Sequence, residues 1–108
     1  MNFLGLIEGK HSSNSKLPSV GDIKDGLLKM VLYCNLTDVK VNDLKYSSKP
    51  VLKLTSTNIT GKISSQSSTS ELVEFKSSAN FNVNNVEIID RLFAEAKANN
   101  FEVIIEGV

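Results

Sequence analysis

The chain is poor in the residues on which most enzymes and metal proteins depend. Its 108 residues include one histidine, one cysteine, two prolines and no tryptophan. The single Cys34 cannot form an internal disulfide, which is typical of a reducing compartment. His11 has no second histidine or cysteine beside it for a metal site, and the six glycines are scattered instead of forming a phosphate-binding loop. We therefore expect no catalytic residues, no metal and no cofactor.

Long hydrophobic runs are also missing from the sequence. No apolar stretch approaches the roughly 20 residues that a membrane-spanning helix needs. The first eight residues contain no lysine or arginine, and Glu8 interrupts their apolar character, which argues against a secretory signal. These features predict a cytoplasmic or virion-associated protein with no membrane partner.

What the chain does contain is the composition of one ordinary globular domain, residues 1–108. Hydrophobic residues make up 41% and charged residues 22%, which disfavours a disordered or fibrous class. The net charge is zero, yet residues 10–62 hold nine lysines against four acidic residues, whereas residues 71–108 hold seven acidic residues against three basic ones. This asymmetry favours either a positive face for an anionic partner or solvated faces spread over a neutral domain.

Short apolar segments with alternating pattern predict a series of β-strands. The strongest lies at 27–34, where Leu28, Met30 and Leu32 would share one face of the strand. Pro50 can open the strand at 51–55, because the first residue of a strand needs no ladder hydrogen bond. The segments 11–26 and 56–70 are rich in small polar residues and are predicted to be loops. The predicted strands are 3–7, 27–34, 36–41, 51–55, 72–75, 81–83 and 101–106, with a turn at 42–43.

One amphipathic helix is predicted over residues 84–100, where apolar residues recur with the helical period of 3.6. Asn84 can cap its first turn, and Glu87 three residues later completes a pattern like a capping box. Asn99-Asn100 can end the helix, because asparagine tolerates the left-handed conformation better than most residues.

The order of these predicted elements indicates the fold class. No helix is predicted early in the chain to carry it between parallel strands, so the strands are expected to pair antiparallel through short connections. We therefore predict a mainly β or small α+β domain, built as an antiparallel OB-like barrel or a curled sheet with one amphipathic helix.

Parts of the chain resemble the OB-fold family of single-stranded-DNA-binding proteins. The resemblance lies in Met1-Asn2 and Leu6-Ile7-Glu8-Gly9, and later in Phe75, the helix at 86–98 and the strand Glu102-Val103-Ile104-Ile105-Glu106-Gly107. It implies a barrel plugged by the helix and a surface that binds single-stranded DNA. The stacking tryptophans of that family have no counterpart in this chain.

The basic front half and its two tyrosines predict a surface for single-stranded nucleic acid, which is bound by positive grooves with aromatic platforms. Lysines without arginines suit contact with phosphates more than reading of bases. The alternative interpretation is that Tyr33 packs in the core and the lysines protect sheet edges against aggregation. The predicted nucleic-acid-binding residues are Lys29, Tyr33, Lys45, Tyr46, Lys49, Lys53 and Lys62.

A second function fits the same sequence: a small structural or protein-interaction protein, such as a phage-type accessory or virion component. Zero net charge, few aromatic residues and no reactive site favour this function. Exposed strand edges pair readily with a partner or with copies of the same chain, so self-association through sheet edges is expected in this case. The sequence therefore predicts a non-catalytic binding protein whose partner is nucleic acid, another protein or a second copy.

Overall fold

The structure is a computed structural model that describes residues 2–4, 7–34, 39–41, 44–48 and 50–108. Helix α1 separates two runs of strands in this part of the chain, and helices α2 and α3 follow each other before the last strand. Their bounds, in chain order, are β1 Asn2–Leu4, β2 Ile7–Ser12, α1 Val20–Cys34, β3 Val39–Val41, β4 Leu44–Ser48, β5 Val51–Ser56, β6 Lys62–Ser64, α2 Thr69–Ser78, α3 Val83–Asn99 and β7 Glu102–Gly107.

The main sheet has four strands in the order β2-β5-β7-β6. Strands β2, β5 and β7 run parallel, and the short edge strand β6 is antiparallel to β7. A second sheet has the order β1-β4-β3, in which β1 and β4 are parallel. Asn2 pairs with Tyr46 and Ile7 pairs with Val51, so both parallel pairs join residues 44 positions apart. The two parallel pairs therefore share the same offset along the chain.

The hydrophobic core lies between one face of the main sheet and the helices. Strand register places Leu52 and Leu54 of β5 beside Val103 and Ile105 of β7 on this face, and all four are fully buried. Helix α1 crosses β5 at Gly26, where an added Cβ would lie 2.6 Å from a methyl carbon of Leu52. The domain thus has two layers, with helices on one face of a mixed sheet.

The predicted antiparallel OB-like barrel is wrong. The main sheet is mixed and mostly parallel, and within the described residues it is open, with β2 and β6 as its edges. The physical reason is α1, which occupies the segment between β2 and β5 and supplies the connection that parallel strands require. The prediction of a single helix is wrong for the same reason, since α1 and α2 precede α3.

Helix α1 replaces the strand predicted at 27–34 and the last part of the loop predicted at 11–26. Ile23 and Met30 are buried while Leu28 is exposed, which is the spacing of a helix and not of a strand. The helix starts where the Ser19 side chain accepts a hydrogen bond from the Asp22 N–H at 3.1 Å. This short polar side chain satisfies one of the free donors of the first turn.

Helix α2 replaces the strand predicted at 72–75. Ser68 and Glu71 form a reciprocal capping box at its start, and Phe75 turns its ring into the core. The predicted loop at 56–70 contains strand β6, which pairs with β7. The spacing of Ser68 and Glu71 in that serine-rich segment is a sequence signal for a helix start, which the prediction of a loop does not take into account.

The predicted late helix, the strand at 51–55 and the final strand are confirmed as α3, β5 and β7. Helix α3 begins one residue earlier than predicted, and its capping box joins Asn82 to Asn85, so the predicted cap at Asn84 with Glu87 is wrong. The predicted strand at 81–83 is therefore the helix start. Asn100 ends α3 in the left-handed conformation, as expected, with φ 58° and ψ 45°.

The structure describes only part of two strands predicted in the N-terminal half of the chain. The strand expected at 3–7 is divided between β1 and β2, and the strand expected at 36–41 is described over β3. The predicted turn at 42–43 lies outside the described residues.

Candidate protein-interaction face

The outer side of α1 carries large aliphatic side chains in contact with solvent. Val20, Leu28 and Leu32 are 54%, 60% and 56% exposed, although each belongs to a helix whose opposite side is core. Leu28 and Leu32 are four residues apart and therefore lie one turn above the other on the same face. Clustered exposed aliphatic residues on a small domain typically mark an interaction surface.

A groove of about 280 Å³ lies between α1 and α3, and of the three exposed residues Val20 is part of its lining. Its apolar lining comes from both helices, and its rim carries charges of both signs. The lining residues are Val20, Ile23, Leu27, Ile88 and Leu92, and the rim residues are Lys24, Arg91 and Glu95. We call the groove and the exposed residues Val20, Leu28 and Leu32 together the α1 face.

The rim of the groove carries two cations without an ion pair, and Lys24 is one of four such lysines among the eight whose side chains the structure describes. Lys24 and Arg91 have no carboxylate of the described residues within 4.0 Å. By contrast, four other lysines of the described chain form ion pairs, namely Lys10, Lys29, Lys53 and Lys76. The α1 face therefore combines apolar surface with two cations that form no ion pair with the described residues and with the carboxylate of Glu95 on the same rim.

Four charged side chains fix α1 to the edge strand β2. Lys10 Nζ lies 2.8 Å from Asp25 and 3.6 Å from Glu8, and Lys29 Nζ lies 3.1 Å from Glu8 and 3.2 Å from Asp25. Glu8 and Lys10 share the helix-covered face of β2, at the register of Leu52 and Leu54. Charges that point inward from an edge strand oppose pairing with another sheet, so this cluster also protects the edge.

The same contacts change the affinity of these groups for protons. Hydrogen bonds from Lys10 and Lys29 hold the pKa of Asp25 below its ordinary value of 3.8. The hydrogen bond to Asp25 raises the pKa of Lys10, and those to Glu8 and Asp25 raise the pKa of Lys29, above the ordinary 10.5. Folding thus favours the charged form of all three groups.

The Asp25 cluster predicts a loss of stability in acid. A carboxyl whose pKa is lower in the folded state stabilises the fold fully above pH 3.8, and that contribution disappears as the pH falls through its folded pKa. We expect Asp25→Asn to be less stable than the wild type at pH 7 and the difference to shrink below pH 3.8. Urea unfolding at pH 7 and at about pH 3 measures both differences. A difference of equal size at the two pH values would contradict the role of the Asp25 charge.

The other face of the main sheet is covered by no helix of the described chain and is lined by paired polar groups. Lys53 lies 3.1 Å from Glu106, and Ser64 Oγ donates a hydrogen bond to Glu102 at 2.6 Å. His11 Nδ1 lies 2.7 Å from Thr55 Oγ1. These partners belong to neighbouring strands, so the polar groups of this face largely satisfy one another.

The structure describes the side chains of four of the seven predicted nucleic-acid-binding residues. Lys29 lies on the helix side of the sheet in the Asp25 cluster, whereas Lys53 lies on the opposite face beside Glu106, and Lys62 is exposed on the edge strand β6. Tyr33 packs, half-buried, against the core, as the alternative interpretation expected. Lys45 and Tyr46 belong to β4, and Lys49 lies outside the described residues.

Sequence reasoning missed the α1 face, because 27–34 was interpreted as a strand. The signal was present: Leu28 and Leu32 have helical spacing, and Ser19 with Asp22 marks a helix start. In the described residues no group of three or more histidine, cysteine, aspartate or glutamate side chains is arranged to hold a metal ion. None of the described helices has both the length and the apolar character that a membrane crossing requires.

Fold and surface together define a small two-layer α+β domain with a mixed, mostly parallel sheet and an exposed aliphatic helix face. No protein-family model matches the chain, and no curated protein or solved structure is significantly similar to it.

Proposed function

We propose that this protein is a non-catalytic protein-interaction module that binds its partner through the α1 face. One observation carries the proposal: Val20, Leu28 and Leu32 are each more than half exposed on one helix beside an apolar groove. Fully burying an aliphatic side chain of this size contributes about 1.5–3 kcal/mol. Burying these side chains against a partner would therefore stabilise a complex by several kcal/mol. The isolated domain leaves this burial energy unused, because the side chains are in contact with solvent.

The sheet edges support this contact less well than the helix does. Edge strand β2 carries the inward-pointing charges of Glu8 and Lys10, and edge strand β6 is three residues long and begins with Lys62. Short strands and edge lysines are devices that discourage pairing with another sheet. We therefore place the interaction surface on α1 and not on the sheet edges that the sequence suggested.

Binding of single-stranded nucleic acid stays a prediction with weaker support. Lys29 and Lys53 are each paired with a carboxylate and lie on opposite sides of the sheet, so they do not form one positive surface. A fluorescence titration with a labelled oligonucleotide at low and high salt tests it. Binding that weakens steeply as salt rises would support nucleic acid as the partner, because phosphate contacts release counterions.

Photo-crosslinking in the native host tests the proposed function. We expect the photoreactive residue p-benzoylphenylalanine in place of Leu28 to give a discrete crosslinked adduct, because the partner covers that position. The matched control carries the same residue in place of Val73, which is 62% exposed on α2 away from the groove, and should give none. Absence of any adduct from position 28, with the protein folded and expressed, would overturn the proposal.

A further inference from the structure

We infer that the α1 face binds a short acidic amphipathic helix of another protein, which lies in the groove between α1 and α3. This inference rests on the proposed function and adds the chemistry of the partner. It depends on two properties of the groove, an aliphatic lining and two cations on the rim that pair with no carboxylate of the described residues. A helix with aliphatic side chains on one face and carboxylates beside them matches both properties.

The groove is about two helical turns long. Its lining runs from Val20 to Leu27 on α1 and from Ile88 to Glu95 on α3. A rise of this many residues along a helix amounts to roughly 10 Å. In a bound helix, aliphatic side chains at positions i and i+4 stand about 6 Å apart, so the groove can accept two of them.

The apolar lining favours a peptide over nucleic acid, the other common anionic partner. All of its apolar residues are aliphatic: Ile23 and Leu92 are buried, Leu27 and Ile88 are half-buried, and Val20 is exposed. Nucleic-acid bases stack on aromatic side chains, and no aromatic residue of the described chain lines this groove. Leucine and isoleucine side chains of a peptide would instead lose their contact with water there, which favours binding.

Arg91 is available for a partner's carboxylate although its own helix carries two nearby. Glu87 and Glu95 lie four residues to either side, the spacing at which ion pairs form on a helix. Neither of these two described carboxylates lies within 4.0 Å of the Arg91 guanidinium, and Glu95 Oε2 instead accepts a hydrogen bond from Asn99 Nδ2 at 3.0 Å. An arginine can bind a carboxylate through two parallel hydrogen bonds, so Arg91 can hold a glutamate or aspartate of the partner.

Lys24 adds the second cation of the rim. No acidic residue lies three or four positions before or after it in the sequence, so helix α1 offers it no ion pair. The groove thus presents Lys24 and Arg91 against the single carboxylate of Glu95, which Asn99 holds. This charge distribution is complementary to an acidic segment and opposes a basic one.

A random-peptide selection tests the chemistry of the partner. A phage-displayed library of peptides of about 16 residues is selected on the purified full chain, with Lys24→Glu/Arg91→Glu as the counter-selection target. We expect the enriched peptides to carry aliphatic residues three or four positions apart and a clear excess of acidic over basic residues. Enrichment of basic or uncharged peptides, or of no peptide, would overturn the inference.

A labelled synthetic copy of the enriched peptide gives the quantitative test by fluorescence anisotropy. Lys24→Glu/Arg91→Glu should weaken binding about 30-fold, and a peptide with lysines in place of its acidic residues should recover the affinity for this variant. The control Lys97→Glu, on α3 but outside the groove lining, should change the affinity by about twofold or less. Circular dichroism confirms that the variants are folded. Equal affinity of the wild type and the double variant, or no recovery with the lysine peptide, would contradict the inference.

Photo-crosslinking at position 28 separates a failure of this inference from a failure of the proposed function. The adduct reports whether any partner covers the α1 face, whereas the peptides report the chemistry of that partner. An adduct that contains two copies of this chain, or oligonucleotide binding that Lys24→Glu/Arg91→Glu abolishes, would overturn the acidic helix as the partner. An adduct with another protein, together with selected peptides that are acidic and aliphatic, is the result that we expect.

Discussion

Replacing Met30 with alanine is expected to lower the free energy of unfolding by about 2–5 kcal/mol, whereas Leu28→Ala should lower it by about 0.5 kcal/mol or less. Met30 is fully buried between α1 and the sheet, and its truncation leaves a cavity. Leu28, two residues away, is 60% exposed and loses little on truncation in the monomer.

The effects of these two substitutions show whether residues 27–34 form a helix or a strand. In a strand Leu28 and Met30 would share one face, so their truncation would have similar effects. Urea unfolding followed by circular dichroism measures both variants at the same low protein concentration. Equal losses for the two variants would contradict the helix.

Gly107→Ala is expected to destabilise the domain by about 3 kcal/mol, at the upper end of the usual cost of overpacking. An added Cβ would lie 2.7 Å from the Ile59 carbonyl carbon and 2.9 Å from Thr60 Cα, and closer still to the Ile59 oxygen. These are backbone atoms of the connection between β5 and β6, so they cannot move aside as a side chain can. The Gly107 N–H also donates to Gly61 O at 2.9 Å, which holds the two segments together.

Gly9→Ala is the matched control, since Gly9 lies in the same sheet and an added Cβ there would meet no atom within 4 Å. We expect its free energy of unfolding to stay within about 0.5 kcal/mol of the wild type. Thermal and urea unfolding of the two variants give the comparison. A Gly107→Ala protein as stable as the Gly9→Ala protein would show that β7 and the segment at 59–60 do not approach so closely.

The elements that sequence predicted well are those in which local signals agree with packing. Strand β5 follows Pro50 and alternates between buried and half-buried residues, and β7 repeats that alternation next to it. In helix α3 the 3.6-residue repeat of apolar residues continues over a long segment, and asparagines cap both ends. In such segments propensity, pattern and burial all favour one structure.

Helix α1 could not be predicted in the same way, because five of the six residues 27–32 are apolar. A short run that is apolar at nearly every position fits both a strand and a helix, and the choice depends on what it packs against. A helix in this segment allows β2 and β5 to run parallel, whereas a strand there favours antiparallel pairing. Predicting a strand at 27–34 therefore also led to the wrong sheet topology.

Predicting the candidate site requires the fold even more than predicting the helices and strands does. The excess of lysine between residues 10 and 62 was visible in the sequence, but its neutralisation was not. Lys29 meets Glu8 only because α1 lies over β2, and Lys53 meets Glu106 only because β5 and β7 are neighbours. Pairing across distant segments places Lys10, Lys29 and Lys53 beside carboxylates, which composition alone does not predict.

Backbone NMR chemical shifts of the full chain test most directly whether residues 20–34 form helix α1, on which the α1 face depends. We expect helical Cα and Cβ shifts throughout this segment, including the residues from Lys29 to Leu32. Extended-strand shifts at 27–34 would contradict the helix and the exposed face that it carries.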